Sequence, residues 1–263
     1  MAELDVAAAA MPRDQVPGLA ALRRVAIVPA YNEAATVAGV VSELRAFDPE
    51  LDVVVVDDGS VDRTAAVAGE AGAHVLRLPF NLGIGGAMQT GFRFAHEHGY
   101  DVAVQVDGDG QHDPGELPKI LAPVVAGEAD LVVGTRFGGD GSFRSTAARR
   151  IGIRVFAWCV SRIVGQRVTD TTSGFRAVGR RGIALFAGDY PHDYPEVEAT
   201  VMVAKANLRL REVPVSMRER AGGRSSITAL RSIYYMAKVL LALFVGLFRR
   251  SATPALDTER EGR

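Results

Sequence analysis

Cysteine is nearly absent from this chain. Cys159 is the one example in 263 residues, so no disulfide can close within it. It lies in the apolar run "VFAWCV" and reads as a small core residue. Histidine is scarce as well, and His74, His96 and His98 show no metal-ligating spacing, which argues against a histidine-built metal centre. Positive charge is missing where an export signal would need it: the start, "MAELDVAAAAMPRDQVPG", carries Glu3 and Asp5 instead. Residues 1–22 therefore read as a disordered tail, and the protein as cytoplasmic. No apolar run is long enough to span a bilayer. The best candidate, the 17 residues between Arg231 and Arg249, contains Lys238, and a spanning helix needs about 20 apolar residues. No internal repeat is visible either.

What is present is unevenly placed. The formal net charge is −1, but residues 136–250 hold 20 Lys/Arg against 8 Asp/Glu, a net of +12, and the remainder is correspondingly acidic. A basic half points to an anionic partner, whether phosphate, nucleic acid or membrane surface. The bland alternative is a solvated surface that segregates by sign.

The first half alternates two periodicities. "RVAIVPA" (24–30), "DVVVVDD" (52–58), "AHVLRLP" (73–79), "DVAVQVD" (101–107) and "ADLVVGT" (129–135) read as strands. Between them, "EAATVAGVVSELRAF", "DRTAAVAGEAG", "GGAMQTGFRFAHEHG" and "GELPKILAPVVAG" read as helices. Strands separated by helices predict an α/β fold with a mainly parallel sheet flanked by helices on both faces. Ligands of such sheets bind beyond the carboxyl ends of the strands. The unusual polar residues and glycines collect there: "PAYNE", "VDDGS", "PFNLG", "VDGDGQ" and "GTRFGG". After residue 136, "FGGDGSFRS" reads as a mobile loop and "TAARRIGIRVFAWCVSRIV" as a helix with a basic face. "TDTTSGFRAVGR" is a loop leading to a short element, and "PEVEATVMVAKAN" a helix with Pro195 in its first turn. "LRLREVPVSMRER" reads as a strand pair, and residues 226–250 as a closing helix in a basic C-terminal helical region. Residues 251–263 read as a tail.

Asp107 and Asp109 leave a strand end at i, i+2. Two such carboxylates repel unless a cation lies between them, and a hard ion, Mg2+ or Mn2+, takes oxygen ligands of this kind. Gln111 offers a third oxygen. An Asp/Gly-rich surface turn is the alternative for this segment taken alone. Asp57 and Asp58 end a second strand, where a carboxylate can accept hydrogen bonds from a base or ribose. Pro29, Tyr31 and Glu33 finish the first strand and suit the wall of a base site. Arg136 ends the fifth strand, placed to pair with a phosphate in two-pronged fashion.

Taken in order, "VPAYNEAATV", "VVVVDDGSVDRT", "NLGIGGAMQTGF", "VQVDGDGQHDP", "VVGTRF" and "DTTSGFRAV" resemble the family 2 glycosyltransferases with the Rossmann-like GT-A fold. The resemblance covers roughly residues 23–225, and within the family it is strongest to the polyprenyl-phosphate sugar synthases. It implies a metal on Asp107, Asp109 and Gln111, and nucleotide contacts at Pro29, Tyr31, Glu33, Asp58 and Asp107. It implies catalytic parts for Asp109 and Arg136. The acceptor side falls on Arg136, Arg150, Asp170, Ser173, Arg176, Arg220 and Arg224, although "RERAGGRSS" has Arg224 and a serine where such synthases carry a lysine. The alternative for each arginine is a stem that covers apolar surface. Glu196 is a candidate base, or else a charge that favours a helix N-terminus. His112 is expected to line the site.

The expected reaction is inverting, metal-dependent transfer of a sugar from a nucleotide sugar to a polyprenyl phosphate, with no nucleic acid partner. A soluble phosphorylated or hydroxyl acceptor is the alternative. Nucleotidyl transfer would require a Gly-rich loop and a basic residue after the first strand, and "PAYNE" has neither. A non-catalytic regulatory homologue fits poorly with intact Asp107 and Asp109. The apolar stretch 232–248, flanked by Arg224, Arg231, Arg249 and Arg250, suits peripheral attachment to the inner face of the membrane or a small membrane-protein partner. Packing at a subunit contact, and hence a homo-oligomer, stays open.

Overall fold

The structure, a computed structural model, describes residues 16–136 and 147–218. Among these residues seven strands form one sheet: β1 (Arg24–Ala30), β2 (Asp52–Asp57), β3 (His74–Arg77), β4 (Val102–Gln105), β5 (Leu131–Thr135), β6 (Arg176–Gly179) and β7 (Leu210–Pro214). Their spatial order is β3-β2-β1-β4-β6-β5-β7. Every neighbouring pair is parallel except those of β6, which runs antiparallel to both β4 and β5. The five strands read from the first half are all present.

Among the described residues seven α-helices cover the faces: α1 (Val37–Phe47), α2 (Thr64–Glu70), α3 (Gly83–Glu97), α4 (Leu117–Val125), α5 (Ala147–Val164), α6 (Arg180–Gly188) and α7 (Pro195–Lys205). Strand residues alternate between two cores because successive side chains point to opposite faces. Ala26, Val28, Val53 and Val55 pack with Val37, Val41 and Leu44 of α1 and Ile120 of α4. Val25, Ile27, Val54 and Val56 pack with Met88 and Phe92 of α3, Phe186 of α6 and Ala199 of α7. Both faces of β1 are buried, which is why its sequence is a continuous apolar run and not an alternating one.

Three expectations change. Of the expected strand pair, the described part, residues 208–218, holds one strand, β7, beside β5, and an isolated antiparallel bridge that joins Met217 to His112. The short element after "TDTTSGF" is an inserted antiparallel strand, followed directly by α6, which the sequence reading did not contain. Cys159 is half-buried, and its neighbour Trp158 is exposed on α5. Arg150 lies in the first turn of α5. Arg220, Arg224, the helix expected over 226–250, the tail 251–263 and residues 1–15 of the expected N-terminal tail lie outside the described residues; residues 16–22 are described, with Val16 and Leu19 buried and a short helical turn over Leu19–Ala21. Among the described residues no helix is long and apolar enough to cross a membrane.

Candidate functional site

The carboxyl ends of β1, β2, β4 and β5 and the start of β6 meet along one edge, and nearly every residue singled out from the sequence lies there. β4 ends at Gln105, and the chain turns through Asp107, Gly108, Asp109 and Gln111. This loop is held from several sides. The Asp107 N–H donates to Nδ1 of buried His112 at 3.1 Å, and the His112 ring stacks on Phe175 with centroids 4.7 Å apart. The Gln111 N–H donates to Asp109 Oδ1 at 3.0 Å, closing a tight turn. The Gln111 carbonyl accepts from the Arg218 N–H at 2.9 Å, so the chain beyond β7 braces the loop from outside. His112, expected to line the site, instead holds the loop's backbone from behind.

Two glycines permit this packing. A Cβ at Gly108 would collide with the Glu33 carboxylate, which lies against the loop. A Cβ at Gly174 would come within 2.9 Å of both carboxylate oxygens of Asp107. The Asp107 carboxylate is thus seated against bare backbone while its side chain remains 38% exposed. Two strand-end carboxylates plus the Gln111 amide are a hard-oxygen donor set that fits Mg2+ or Mn2+. Among the described residues no group of three His, Cys, Asp or Glu side chains is gathered for a metal. A cation at Asp107 and Asp109 would therefore complete its shell with Gln111, water and a ligand's oxygens.

On the β1–β2 side, Pro29 lies within β1, Tyr31 is exposed just beyond it, and Asn32 adopts a left-handed conformation with φ 54°. Asp58 is buried, and its carboxylate accepts from the N–H groups of Leu82 and Gly83 at 2.7 and 2.9 Å. Asp58, expected to meet a nucleotide, serves first as the cap of α3.

On the other side, Arg136 and Asp170 meet each other. Arg136 Nε donates to Asp170 Oδ2 and Nη2 to Oδ1, both at 2.8 Å, while Nη2 also donates to Thr172 Oγ1 at 2.7 Å. Burial opposes both charges, but the pair outweighs it: the Arg136 pKa is raised and the Asp170 carboxyl is held below the ordinary carboxylate range. Glu212 of β7 anchors the same loop by accepting from the N–H groups of Thr169 and Asp170 at 2.8 and 2.9 Å. Ser173, expected on the acceptor side, is buried and donates to the Gly134 carbonyl at 2.6 Å, which ties the loop to β5. Arg176, expected as an acceptor contact, is buried on the sheet face behind Asp107. Glu196 stands at the start of α7 near it; burial pushes its carboxyl above the ordinary range, the Arg176 charge opposes the shift, and Asp107 adds to it.

The bracing roles of His112 and Glu212 and the burial of Gln105 were missed from sequence. Gln105 did carry a signal: it is the one polar residue between Val102 and Val106.

An open α/β sheet whose strand ends carry a paired-carboxylate loop, a capped helix and a fixed Arg–Asp pair defines a ligand-binding enzyme site at the carboxyl edge. The profile of glycosyl transferase family 2 matches residues 25–184. Undecaprenyl-phosphate mannosyltransferase of Micrococcus luteus is 35% identical over 79% of this chain and 88% of its own. Polyprenol monophosphomannose synthase of Mycolicibacterium smegmatis is 33% identical over 82% of this chain and 85% of its own. Among solved structures, glucosyl-3-phosphoglycerate synthase from Mycobacterium tuberculosis, in complex with Mn2+, uridine diphosphate and phosphoglyceric acid, shares the fold. It has a TM-score of 0.65 and 20% identity, covering 86% of this chain and 78% of that one. The chain belongs to glycosyl transferase family 2, with the GT-A fold, and it is a glycosyltransferase.

Proposed function

We propose that this enzyme moves a sugar from a nucleotide sugar to the phosphate of a polyprenyl phosphate, with inversion at the sugar carbon. The observation that carries this reading is the sustained likeness, over about four-fifths of the chain, to two enzymes named for lipid-phosphate mannosyl transfer. The site is compatible with it. The base and ribose would lie along Tyr31 and the β2 loop, and the diphosphate at the Asp107–Asp109 turn. A Mg2+ or Mn2+ held by Asp107, Asp109 and Gln111 would neutralise the diphosphate as it leaves.

The chemistry requires little beyond placement. An acceptor phosphate oxygen attacks the sugar carbon from the face opposite the nucleotide. The new C–O bond forms as the bond to the diphosphate breaks, and the nucleoside diphosphate departs with the electron pair. An ionised phosphate has no proton to give up, so no general base is needed. Arg136, held by Asp170, would orient the acceptor phosphate. Attachment to the inner membrane surface, where such a lipid resides, goes with this reading.

Purified protein incubated with Mg2+, undecaprenyl phosphate in detergent and radiolabelled nucleotide sugars should yield an organic-extractable glycolipid, and excess EDTA should suppress it. Transfer to small phosphorylated or hydroxyl acceptors, with none to the lipid, would overturn the acceptor assignment. Undiminished turnover in EDTA would overturn the metal.

A further inference from the structure

The last strand of the sheet carries an acid that the reaction just described does not use. Glu212 of β7 is half-buried and lies in register with Val133 of β5. Its Oε1 accepts from the N–H groups of Thr169 and Asp170 at 2.8 and 2.9 Å. Its Oε2 accepts from the Thr169 hydroxyl at 2.8 Å and shares the Thr169 N–H at the same distance. Two successive backbone donors and a hydroxyl thus close on one carboxylate. Bonds to a charged acceptor are shorter and stronger than bonds to a neutral one, so the start of this loop is held firmly.

The loop held this way touches both halves of the candidate site. Near its start the Asp170 carboxylate receives Arg136 Nε and Nη2, both at 2.8 Å. In its middle Ser173 is tied to the Gly134 carbonyl. At its end Gly174 lies against the Asp107 carboxylate, where a Cβ would stand 2.9 Å from each oxygen. Arg136 also senses the Asp107 charge, so two carboxylates compete for one guanidinium. Asp170 holds it through two parallel bonds, and those bonds are only as well placed as the loop that carries them. A tie needed for attachment alone would not call for a second acid. Glu212 grips the backbone of a residue whose own side chain is a carboxylate, and like charges placed this near each other repel. The arrangement makes sense if the loop's exact position matters more than its attachment.

We propose that Glu212 is a positioning residue for sugar transfer. By clasping Thr169 and Asp170 it fixes, through Asp170, the direction of Arg136 and keeps that guanidinium off Asp107, so that Arg136 serves the acceptor phosphate and Asp107 stays open to a metal. Glu212 itself touches neither substrate. The proposal rests on the reading in which Arg136 orients the acceptor phosphate and Asp107 is a metal ligand.

The test uses the full chain with undecaprenyl phosphate as acceptor and, as donor, whichever of GDP-mannose and UDP-glucose it turns over. Glu212→Gln keeps the size of the side chain but sets an amide NH2 against N–H donors. It should raise the acceptor KM about 10-fold, the scale of a weakened hydrogen bond to a charged group, and the donor KM by less than about twofold. Asp170→Asn should do the same, and the two changes together should cost little more than either alone, because both act through Arg136. A second readout needs no turnover. Mn2+ binding with the matching nucleoside diphosphate, measured by calorimetry, should weaken about 3- to 10-fold in Glu212→Gln, because the released arginine competes for Asp107. In an Arg136→Gln background the same Glu212 change should leave Mn2+ affinity within about twofold. If Glu212→Gln does not fold, Thr169→Val removes only the hydroxyl that bonds Glu212 and should give the same acceptor-selective shift at about two- to threefold. Equal rises in both KM values, full additivity with Asp170→Asn, or an Mn2+ defect that persists without Arg136 would each overturn the proposal. An acceptor KM that rises in Arg136→Gln but not in Glu212→Gln removes Glu212 alone. An acceptor KM unmoved by Arg136→Gln removes the reading of Arg136 and this proposal with it. If no lipid is glycosylated, the proposed function falls first, and the Mn2+ measurement still decides whether Glu212 keeps Arg136 off Asp107.

Discussion

At the scale of single residues, the site separates groups that face a ligand from groups that hold others in place. Under the proposed function Asp109 is of the first kind: it lies half-buried in the turn, where its carboxylate accepts from the Gln111 N–H. Asp109→Asn should lower turnover by about 100-fold or more, as loss of a preorganised electrostatic group does, while thermal melting moves little. Activity assays beside melting curves decide it, and near-normal turnover would remove Asp109 from the reaction. Glu196 makes a prediction about pH. Its folded pKa is raised by burial, with the Arg176 charge opposing the shift and the Asp107 charge adding to it. A raised acid stabilises the fold fully below its unfolded pKa and loses that contribution as pH rises through the folded value. Glu196→Gln should therefore match wild type in stability near pH 4 and exceed it increasingly toward neutrality. Urea titrations at several pH values would reveal the trend, and a constant difference would contradict it. Asp170 has the opposite sign. Its lowered pKa contributes stability above its unfolded value, and that stability is lost as acid protonates it.

Between elements, Asp58 links β2 to α3. It receives two N–H groups from residues 24 and 25 positions later, so Asp58→Ala strips the cap of α3 as well as altering the site. The expected cost is about 1–2 kcal/mol of stability, read by denaturant unfolding, along with weaker nucleotide sugar binding. A variant with unchanged stability would show that α3 does not need the cap. This double duty explains how much of the molecule is legible in its sequence. The strand ends could be read because β-branched runs stop abruptly at Asp, Asn and Gly, and the position of Asp58 followed from that. Its partners did not, because they come from another loop. β6 is four residues long and α6 opens on "GRRG", so neither periodicity has room to show. Gln105 sits among valines, where one polar residue barely disturbs an apolar pattern. Its register partner, Arg176, comes from 71 positions further along the chain.

For the molecule as a whole, charge is divided along the chain, with a net of +12 over residues 136–250. Full-length protein should co-sediment with vesicles containing anionic phospholipid at low salt and be released near 0.5 M salt, where the screening length has shrunk to a few ångströms. Failure to bind such vesicles at low salt would remove the surface attachment from the proposed function. The sheet order has a different consequence, for how the chain reaches this state. β1 to β4 can pair among themselves as they emerge from the ribosome, each new strand finding an earlier neighbour. β5 cannot. Both of its neighbours, β6 and β7, are synthesised after it, with residues 136–175 still to come before the first arrives. A strand reading "LVVGT" therefore waits with both edges open, the condition in which nascent chains associate wrongly or call on chaperones. The half built on β1 to β4 can assemble early, but the half that holds Arg136, Asp170 and Arg176 needs the late strands to close, and that closure is expected to be the slower step for a newly made chain.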